Sequence, residues 1–409
     1  MKARIGYFPP EFPGQTHIFL WREIHALSEL GIESDWVSTR RPPKAIVSHS
    51  WSEEAQNNTT YLVPFGFKDF LGACLEILRA GPLAWLHCLS VVITAKDLSF
   101  SQRLRLLALI LPAGKLAWLA RDKGWSHIHV PSCADAANIA MFASILCGIT
   151  YSLSLLGPTL EGYGPNQEQK WKHAAFVLIM SELLFKVAKE RLAGFLPDLV
   201  EIAPVGVDLD EIKRHSPYIP WEAGTPCRIY SCGRLNRVKG HNYLIETVAL
   251  LRQRGIDVRL QIAGEDEKGG SGYRRDLEKF IQDKSISDYV ELLGAVSEEK
   301  HRQCLEEAHV FALASLNEGI SVAIMEAMAM EMPVVVTDVG GNSELIENGV
   351  DAIMVQPEKP EEMADAIEKV LKDKGLTLSL SQESRKKVAA KFNHRISASI
   401  LARCLDEIA

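Results

Sequence analysis

The sequence predicts an α/β protein in which two Rossmann-like domains face a central cleft. Short apolar strands alternate with amphipathic helices along the chain, which is typical of parallel α/β architecture. At 409 residues the chain is too long for one small core and indicates two domains of ordinary size. Prolines cluster and the periodicity is lost in residues 204–226, so we expect the domain boundary there.

Twelve short apolar segments are the predicted strands, six in each half. In the first half they are Arg4–Phe8, Ser34–Val37, Ser126–Val130, Thr150–Leu155, Phe176–Met180 and Leu199–Ala203. In the second half they are Arg228–Cys232, Val258–Ala263, Tyr289–Leu293, Val310–Ala314, Val334–Thr337 and Ala352–Val355. We therefore expect an amino-terminal domain over residues 1–205 and a carboxyl-terminal domain over 206–392. The last helix, from about Arg395 to Ile408, has no sheet partner left in the second half. Whether residues 393–409 cross back to the first domain stays open at this point.

Charge and cysteine usage limit the class of protein. The net charge of -7 argues against nucleic acid as the main partner. Residues 1–12 lack an apolar core long enough for a signal peptide. The eight cysteines are scattered singly, without the close pairs of a zinc site or a disulfide framework. We expect a cytoplasmic protein.

The segment "SLNEGISVAIMEAMAMEMPVVVTDVGG", residues 315–341, places two glutamates among small and apolar residues. Its periodicity predicts a helix over Ser321–Glu331, ended by Pro333, followed by a buried strand. The first backbone amides of a helix are unpaired and attract anions. A carboxylate would repel a bound phosphate, so Glu318 and Glu326 are expected to accept hydrogen bonds from hydroxyls on the phosphate-bearing ligand. A sugar nucleotide has both parts.

A second segment, "SCGRLNRVKGHNYLIETV" at residues 231–248, carries two cations. A buried strand ends at Cys232, and a helix begins near Gly240. Arg234 and Lys239 therefore lie at the carboxyl end of a strand, where open α/β sheets bind ligands. An arginine fork and a lysine point charge suit a diphosphate. The alternative is that both are solvated loop charges.

These two segments together resemble the retaining family 4 glycosyltransferases of the GT-B fold. The resemblance extends to "PVGVD" at 204–208, "IAGEDE" at 262–267 and "LLGAVSEEK" at 292–300. In the first half, "PPEFPGQTHIFLWREIHAL" and "SLLGPTLEGYGPNQEQKW" are similar to members that assemble bacterial exopolysaccharides, including cyanobacterial enzymes of heterocyst envelope polysaccharide synthesis.

The resemblance implies a role for each matching residue. Arg234 and Lys239 would grip the donor diphosphate and stabilise it as the leaving group. Glu318 would lie in the donor-sugar pocket, and Glu326 would bind both ribose hydroxyls. The remaining implied contacts are the backbone amides of Gly319, Ile320, Ser321 and Val322 on the phosphate, Ala295 and Val296 at the nucleobase, and Gly14 approaching the phosphates from the other domain.

The implied reaction is a retaining transfer without divalent metal, cofactor or covalent enzyme intermediate. The donor would be a UDP-sugar, UDP-glucose or similar, and the acceptor a glycan or lipid-linked glycan of exopolysaccharide synthesis. Many family members carry a histidine where this chain has Leu156. Either His129 or His17 compensates for that histidine, or the activity is reduced. An epimerase and a non-catalytic binding subunit therefore stay open. A dehydrogenase does not, because no G-x-G-x-x-G turn follows the first strand.

Residues 70–125 interleave leucines and tryptophans with basic residues. Pro112 splits the longest apolar run, and no run reaches the roughly 18 residues of a spanning helix. One interpretation is a basic helix lying on an anionic membrane surface, at the inner face of the membrane and near a lipid-linked acceptor. The other is a helical hairpin packed on the first domain.

Overall fold

Two parallel β-sheets, one in each half of the chain, organise the fold. The structure, a computed structural model, describes residues 4–14, 16–43, 49–96, 98–157, 159–266 and 269–409. The motif residues Gln15, Pro158 and Glu267 lie outside these described ranges. The first sheet contains β1 (Arg4–Tyr7), β2 (Glu33–Ser38), β3 (Thr60–Tyr61), β4 (His127–Val130), β5 (Thr150–Leu155), β6 (Phe176–Ile179) and β7 (Leu199–Ile202). The second contains β8 (Cys227–Cys232), β9 (Val258–Ala263), β10 (Val290–Gly294), β11 (Val310–Leu313), β12 (Val334–Thr337) and β13 (Ile353–Val355).

The strand order is β3-β2-β1-β4-β5-β6-β7 in the first sheet and β10-β9-β8-β11-β12-β13 in the second. The predicted α/β class with two Rossmann-like domains is confirmed, and every predicted strand is present within one or two residues. Strand β3 was missed, because two residues are too short to show a period. In both sheets the order reverses beside the first strand, and such a reversal opens a crevice at the carboxyl ends.

Sixteen helices accompany the sheets in the described ranges. The first half contains α1 (Ile18–Glu29), α2 (Ser52–Asn58), α3 (Phe67–Thr94), α4 (Phe100–Ala108), α5 (Ile110–Lys123), α6 (Asp135–Cys147), α7 (Gln167–Lys172) and α8 (Glu182–Arg191). The second contains α9 (His241–Gln253), α10 (Tyr273–Asp283), α11 (Glu298–Glu307), α12 (Val322–Ala329), α13 (Asn342–Leu345), α14 (Pro360–Lys372), α15 (Lys374–Lys391) and α16 (His394–Glu407).

The last helix, α16, packs against α1 of the first half. Its Leu401 and Leu405 share a buried cluster with Leu27. The chain thus passes between the halves twice, and the two passages are hydrogen-bonded side by side. The Val207 amide donates to the Phe392 carbonyl (2.9 Å), and the His394 amide donates to the Val207 carbonyl (3.1 Å). The residue limits of the two domains stay a prediction.

Helices α3, α4 and α5 form the region that the sequence left open between two interpretations. Its basic side chains are largely paired within the fold. Lys115 is 2% exposed and donates to the Tyr61 carbonyl (2.8 Å) and to Asp69 (2.7 Å). Arg121 forms an ion pair with Glu76 (3.0 Å). The hairpin is packed on the first domain, and what it presents to solvent is mainly apolar.

Helix α3 is the one described helix that is long and apolar enough to cross a membrane by length and composition. Gly81 interrupts it with a left-handed φ of 77°, and Pro82 follows. Each half therefore spans only about 20 Å at about 1.5 Å per residue. This is short of the roughly 30 Å hydrocarbon core of a bilayer. The exposed side chains of α3 include Leu71, Leu75, Leu78, Leu83, Leu86, Leu89 and Ile93.

Candidate active site between the two domains

The loop between β8 and α9 fixes the position of Lys239. Asn236 accepts a hydrogen bond from the Lys239 amide (3.1 Å) and caps one 3₁₀ turn, Arg237–Lys239. Gly240 then takes a left-handed φ of 60°, and a Cβ there would lie 1.9 Å from the Ala314 carbonyl oxygen. Only glycine allows this approach, which brings the loop against the end of β11.

Lys239 and Glu318 meet at the carboxyl edge of the second sheet. Lys239 Nζ lies 2.5 Å from Glu318 Oε1, which also accepts a hydrogen bond from the Ser315 hydroxyl (2.6 Å). The Leu316 amide donates to the Val238 carbonyl (2.7 Å) and ties the two loops together. β8 and β11 are neighbours in the sheet, so their carboxyl ends place a cation and an anion at one point. Glu318 is 8% exposed.

The start of α12 faces the first domain at very short range. A Cβ on Gly319 would lie 2.6 Å from Met180 Sδ and 2.9 Å from the Leu156 carbonyl oxygen. The position therefore accepts glycine alone unless the domains move apart. Ile320 and Ser321 are buried, Val322 is half-buried, and Ser321 precedes the helix without a side-chain cap. The amides at this helix start lie at the interface between the domains.

Glu326 lies in a buried ion-pair network that spans both domains. Its Oε1 accepts from Arg22 Nη1 of α1 (2.9 Å), and its Oε2 lies 3.2 Å from His301 Nε2 of α11. Arg22, itself 4% exposed, also donates to Glu211 (3.2 Å), which pairs in turn with Arg302 (2.9 Å). Glu326, which the sequence analysis assigned to the ribose hydroxyls, is thus paired with a cation from the opposite domain.

The charges of this network are set by their neighbours. Burial alone would raise the pKa of Glu326, but the His301 imidazole and the Arg22 guanidinium lower it to about 2. Burial alone would lower the pKa of His301, but the Cys232 sulfur and the Glu326 carboxylate raise it. Glu326 is therefore ionised at neutral pH, with a cation on either side.

Two further carboxylates of the second domain hold the first domain in place. Glu344 accepts hydrogen bonds from the Glu182 and Leu183 amides, both 2.8 Å, at the start of α8. Glu298 accepts from the Ser50 hydroxyl and lies 3.2 Å from His49 Nδ1. With the Gly319 contact and the Arg22 pair, these interactions keep the cleft closed.

His17 lies close to two residues that the sequence assigned to the diphosphate. They are Gly14 in its own loop and Arg234 of the opposite domain. A Cβ on Gly14 would lie 3.2 Å from the His17 imidazole. Burial, the Arg234 charge and His49 lower the pKa of His17 to about 4, so the imidazole is neutral. His17 Nδ1 has no hydrogen-bond partner among the described residues. Ala295 and Val296 are half-buried between β10 and α11, the helix that carries His301.

His129 is not a substitute for the histidine that Leu156 replaces. It is fully buried within the first sheet, where Nδ1 bonds Ser152 (2.8 Å) and Nε2 bonds Ser154 (3.1 Å). Both ring nitrogens are therefore engaged away from the cleft, and burial lowers the pKa of His129 to about 3. That part of the sequence interpretation is wrong, and His17 is the alternative that faces the opposite domain.

No group of three or more His, Cys, Asp or Glu side chains in the described ranges is arranged to hold a metal ion.

Comparison with known proteins identifies the second half. Residues 221–387 match the family described as "Glycosyl transferases group 1". This is a group 1 glycosyltransferase domain. The predicted resemblance to family 4 glycosyltransferases is confirmed.

The chain is also similar to known proteins over nearly its whole length. It is 26% identical to the "Putative colanic acid biosynthesis glycosyltransferase WcaL" of Salmonella typhimurium, over 99% of this chain and 100% of that protein. Sucrose-phosphate synthase from Thermosynechococcus elongatus has a TM-score of 0.74 at 17% identity, with 99% of both chains covered. Anabaena HepE in complex with UDP-glucose has a TM-score of 0.73 at 16% identity, with 99% of both chains covered. The two-domain GT-B fold is thereby confirmed.

Arg22 and His301 are residues of the candidate site that the sequence interpretation missed. Arg22 had a detectable signal, because it falls on the Ile18 and Ala26 stripe of α1, where an amphipathic helix should be apolar. A charge in such a stripe indicates a buried partner. The identity of that partner, 304 residues away, depends on how the domains face each other.

Proposed function

We propose that the glycosyltransferase moves a sugar from a UDP-sugar to a glycan or lipid-linked glycan in exopolysaccharide synthesis, with retention and without a metal. The Lys239–Glu318 contact beside the start of α12 carries this proposal. A cation and helix amides, which suit a diphosphate, lie next to a carboxylate, which suits sugar hydroxyls. WcaL, by its name in colanic acid biosynthesis, and the UDP-glucose complex of HepE support the acceptor class and the donor.

In this proposal the leaving diphosphate is stabilised by fixed positive charge. Lys239 and Arg234 bind its oxygens, and the amides of Gly319 to Val322 cap the phosphate nearest α12. Such donors act on charge that develops in the transition state, and they need no reorganisation during the reaction. Glu318 accepts hydrogen bonds from the donor sugar. The departing phosphate oxygen takes the acceptor proton on the same face of the sugar.

Donor binding requires the two domains to separate first. Glu318 and Glu326 are 8% and 7% exposed, too enclosed for a nucleotide to enter. Opening carries Arg22 away from Glu326 and leaves that carboxylate for the ribose hydroxyls, with Ala295 and Val296 beside the base. When the domains close again, Arg22 can pair with Glu326 while the ribose stays bound, because each carboxylate oxygen can accept a second hydrogen bond.

His17 is the proposed replacement for the histidine missing at Leu156. Its neutral ring lies next to Gly14 and close to Arg234, and Nδ1 lacks a partner in the described part of the chain. A neutral imidazole can donate or accept one hydrogen bond at the donor without adding charge to the site.

UDP selectivity tests the donor. We expect UDP to raise the melting temperature more than ADP or GDP does. At 100 times its dissociation constant, UDP should raise the free energy of unfolding by about 2.7 kcal/mol. UMP should stabilise less, because it lacks the second phosphate for Lys239 and Arg234. Thermal shift with this panel measures the effect. Equal shifts for all diphosphates would remove the assignment of the base.

Product analysis separates the remaining classes of protein. A transferase releases UDP from UDP-glucose, whereas an epimerase converts UDP-glucose without releasing UDP. A binding subunit would be stabilised by UDP and would consume no donor with any acceptor.

We also propose that the glycosyltransferase works at the inner surface of a membrane, with α3 lying in the interface. Arg79 and Lys96 flank an uncharged stretch in which Leu83, Leu86 and Ile93 are 82%, 62% and 71% exposed. Because the basic residues nearby are paired internally, the attraction is mainly apolar. All eight cysteines are free thiols, which suits a reducing compartment.

Sedimentation with liposomes tests this surface. Replacing Leu83 and Leu86 by glutamate should weaken binding to phosphatidylglycerol liposomes about 100-fold, since each buried leucine contributes about 1.5 kcal/mol or more. The matched control is Ile219→Glu, which changes an isoleucine of similar exposure, 73%, away from α3. Equal sedimentation of the double variant and the control would contradict the proposal.

A further inference from the structure

The motif "IAGEDE", residues 262–267, lies at the carboxyl end of β9, and none of its described side chains belongs to the site above. β9 pairs with both β8 and β10. Because these strands are parallel, the loops that follow all three lie at one edge of the sheet. The loop after β8 carries Arg234 and Lys239, and the loop after β10 carries Ala295 and Val296. The motif therefore lies between the residues assigned to the diphosphate and those assigned to the base.

The main chain at Glu265 is bonded to the loops on both sides. The Glu265 carbonyl accepts a hydrogen bond from the Leu235 amide (3.2 Å), directly after Arg234. The amide of the preceding residue, Gly264, donates to the Gly294 carbonyl (2.8 Å) at the end of β10. The position of Glu265 is therefore fixed relative to both the diphosphate loop and the base loop.

The Glu265 side chain forms an ion pair with Arg274 of α10. Arg274 Nη1 lies 2.9 Å from Glu265 Oε2, and Arg274 Nη2 donates to the Leu292 carbonyl of β10 (2.8 Å). A Cβ on Gly294 would lie 3.5 Å from the same carboxylate oxygen and 3.7 Å from Arg274 Nη1. Gly294 has a left-handed φ of 73° and carries no side chain that would cover the pair. An acceptor and a donor thus lie side by side against the residue that precedes Ala295.

The other described acid of the motif, Asp266, has a structural role. Its carboxylate is 4% exposed and accepts hydrogen bonds from the amides of Gly270 (3.0 Å), Gly272 (2.9 Å) and Arg274 (3.0 Å). These bonds shape the turn before α10 and fix the position of Arg274. The Glu265 and Arg274 side chains are 12% and 22% exposed, so both keep part of their surface in contact with solvent.

An acceptor beside a donor matches one edge of uracil. Uracil carries an N–H at N3 next to a carbonyl oxygen at C4, so a carboxylate can accept from N3–H while a guanidinium donates to O4. Cytosine carries the reverse pattern, a bare N3 next to an amino group. It would place a lone pair against the carboxylate and an N–H against the guanidinium. A carboxylate oxygen accepts more than one hydrogen bond and a guanidinium has five N–H groups, so the bonds within the pair do not prevent bonds to a base.

We propose that Glu265 and Arg274 determine the specificity of the glycosyltransferase for a uracil nucleotide. The inference rests on the donor function proposed above and deepens it, because it assigns the choice of base to two side chains. In the bound donor, Glu265 accepts from N3–H, Arg274 donates to O4, and the ring lies against Gly294 and Ala295. The Arg274 charge also offsets that of the carboxylate, so that the pair adds no net negative charge beside the diphosphate.

The affinities of UDP and CDP, measured by titration calorimetry, test the proposal. The two nucleotides differ only at N3 and C4 of the ring, whereas guanine carries the same edge as uracil, so CDP and not GDP isolates the pair. We expect the wild-type protein to bind UDP at least about tenfold more tightly than CDP. Glu265→Ala should lower this ratio about tenfold, because it removes a charged hydrogen-bond acceptor. Glu265→Gln keeps the shape of the side chain without its charge and should lower the ratio less.

Glu278→Ala is the matched control. Glu278 also pairs with Arg274, through Nε (2.8 Å), but it lies one turn further along α10 and is 49% exposed. An unchanged ratio of UDP to CDP affinity in both Glu265 variants would overturn the proposal, as would an equal fall in Glu278→Ala. Equal binding of UDP and CDP by the wild type would overturn it too. Wild-type protein that binds neither nucleotide would instead refute the proposed donor function, so the two failures are distinguishable.

Discussion

Replacing Lys239 by alanine is expected to lower the transfer rate about 100- to 1000-fold, the usual effect of removing one preorganised donor from a developing negative charge. The ammonium lies 2.5 Å from Glu318 and 18% of the side chain is exposed, so it is placed at the site before the donor arrives. Initial rates of UDP release from UDP-glucose measure the effect. The loss should appear in kcat, because the charge on the diphosphate grows as the sugar leaves.

Arg237→Ala is the control for this change. Arg237 belongs to the same 3₁₀ turn, but its side chain is 81% exposed and pairs with Asp276 on the surface. Its removal should leave turnover unchanged. If the two variants have the same kcat, Lys239 does not contact the leaving group. A fall in melting temperature for Lys239→Ala alone would indicate a structural role.

Replacing Arg22 by methionine is expected to open the cleft. Breaking a buried ion pair costs about 3 to 5 kcal/mol, and Glu326 would keep only the His301 imidazolium of the two cations that flank it. Glu326 can regain water only if the domains separate, so the closed state should lose about 100-fold or more in population. We expect kcat to fall by a similar factor. Affinity for UDP should change little, because an open cleft exposes Glu326 to the ribose.

Small-angle scattering and titration with UDP check this expectation together. The radius of gyration of Arg22→Met should increase and should decrease less on UDP binding than in the wild type. Arg254→Met is the control, since Arg254 also pairs with two carboxylates but within the second domain. Unchanged scattering with weaker UDP binding would show that Arg22 serves the nucleotide site and not domain closure.

These measurements should be made near pH 7. The Arg22–Glu326 ion pair is complete above about pH 4.3, the usual pKa of a glutamate. It weakens only as the pH falls towards 2, the pKa of Glu326.

The sequence predicted the sheets because buried parallel strands are read directly as short apolar runs. It also predicted that Lys239 and Glu318 would share a site, although 79 residues separate them. Both follow strands of one sheet, and adjacent parallel strands bring their carboxyl ends together. The roles of these residues stay predictions, although their position is described by the structure.

What could not be predicted depends on how separate units face each other. The Arg22–Glu326 pair exists only because the domains are closed, and no local pattern encodes their orientation. The sequence left open whether the basic side chains of residues 70–125 face a lipid surface or the first domain, because composition does not tell which face of a helix is covered. The assignment of His129 as a replacement for the missing histidine was also wrong. Two serines of the neighbouring strand bind its ring, and no spacing rule identifies them.

The paired passages at Val207 and Phe392–His394 limit how the enzyme can move. Two chain segments joined by hydrogen bonds act as one hinge. A single flexible connection would instead let the two halves rotate about several axes. Each reopening is then a swing about the same axis. Closure about that axis would bring Gly319 back to the Leu156 carbonyl along the same path each time.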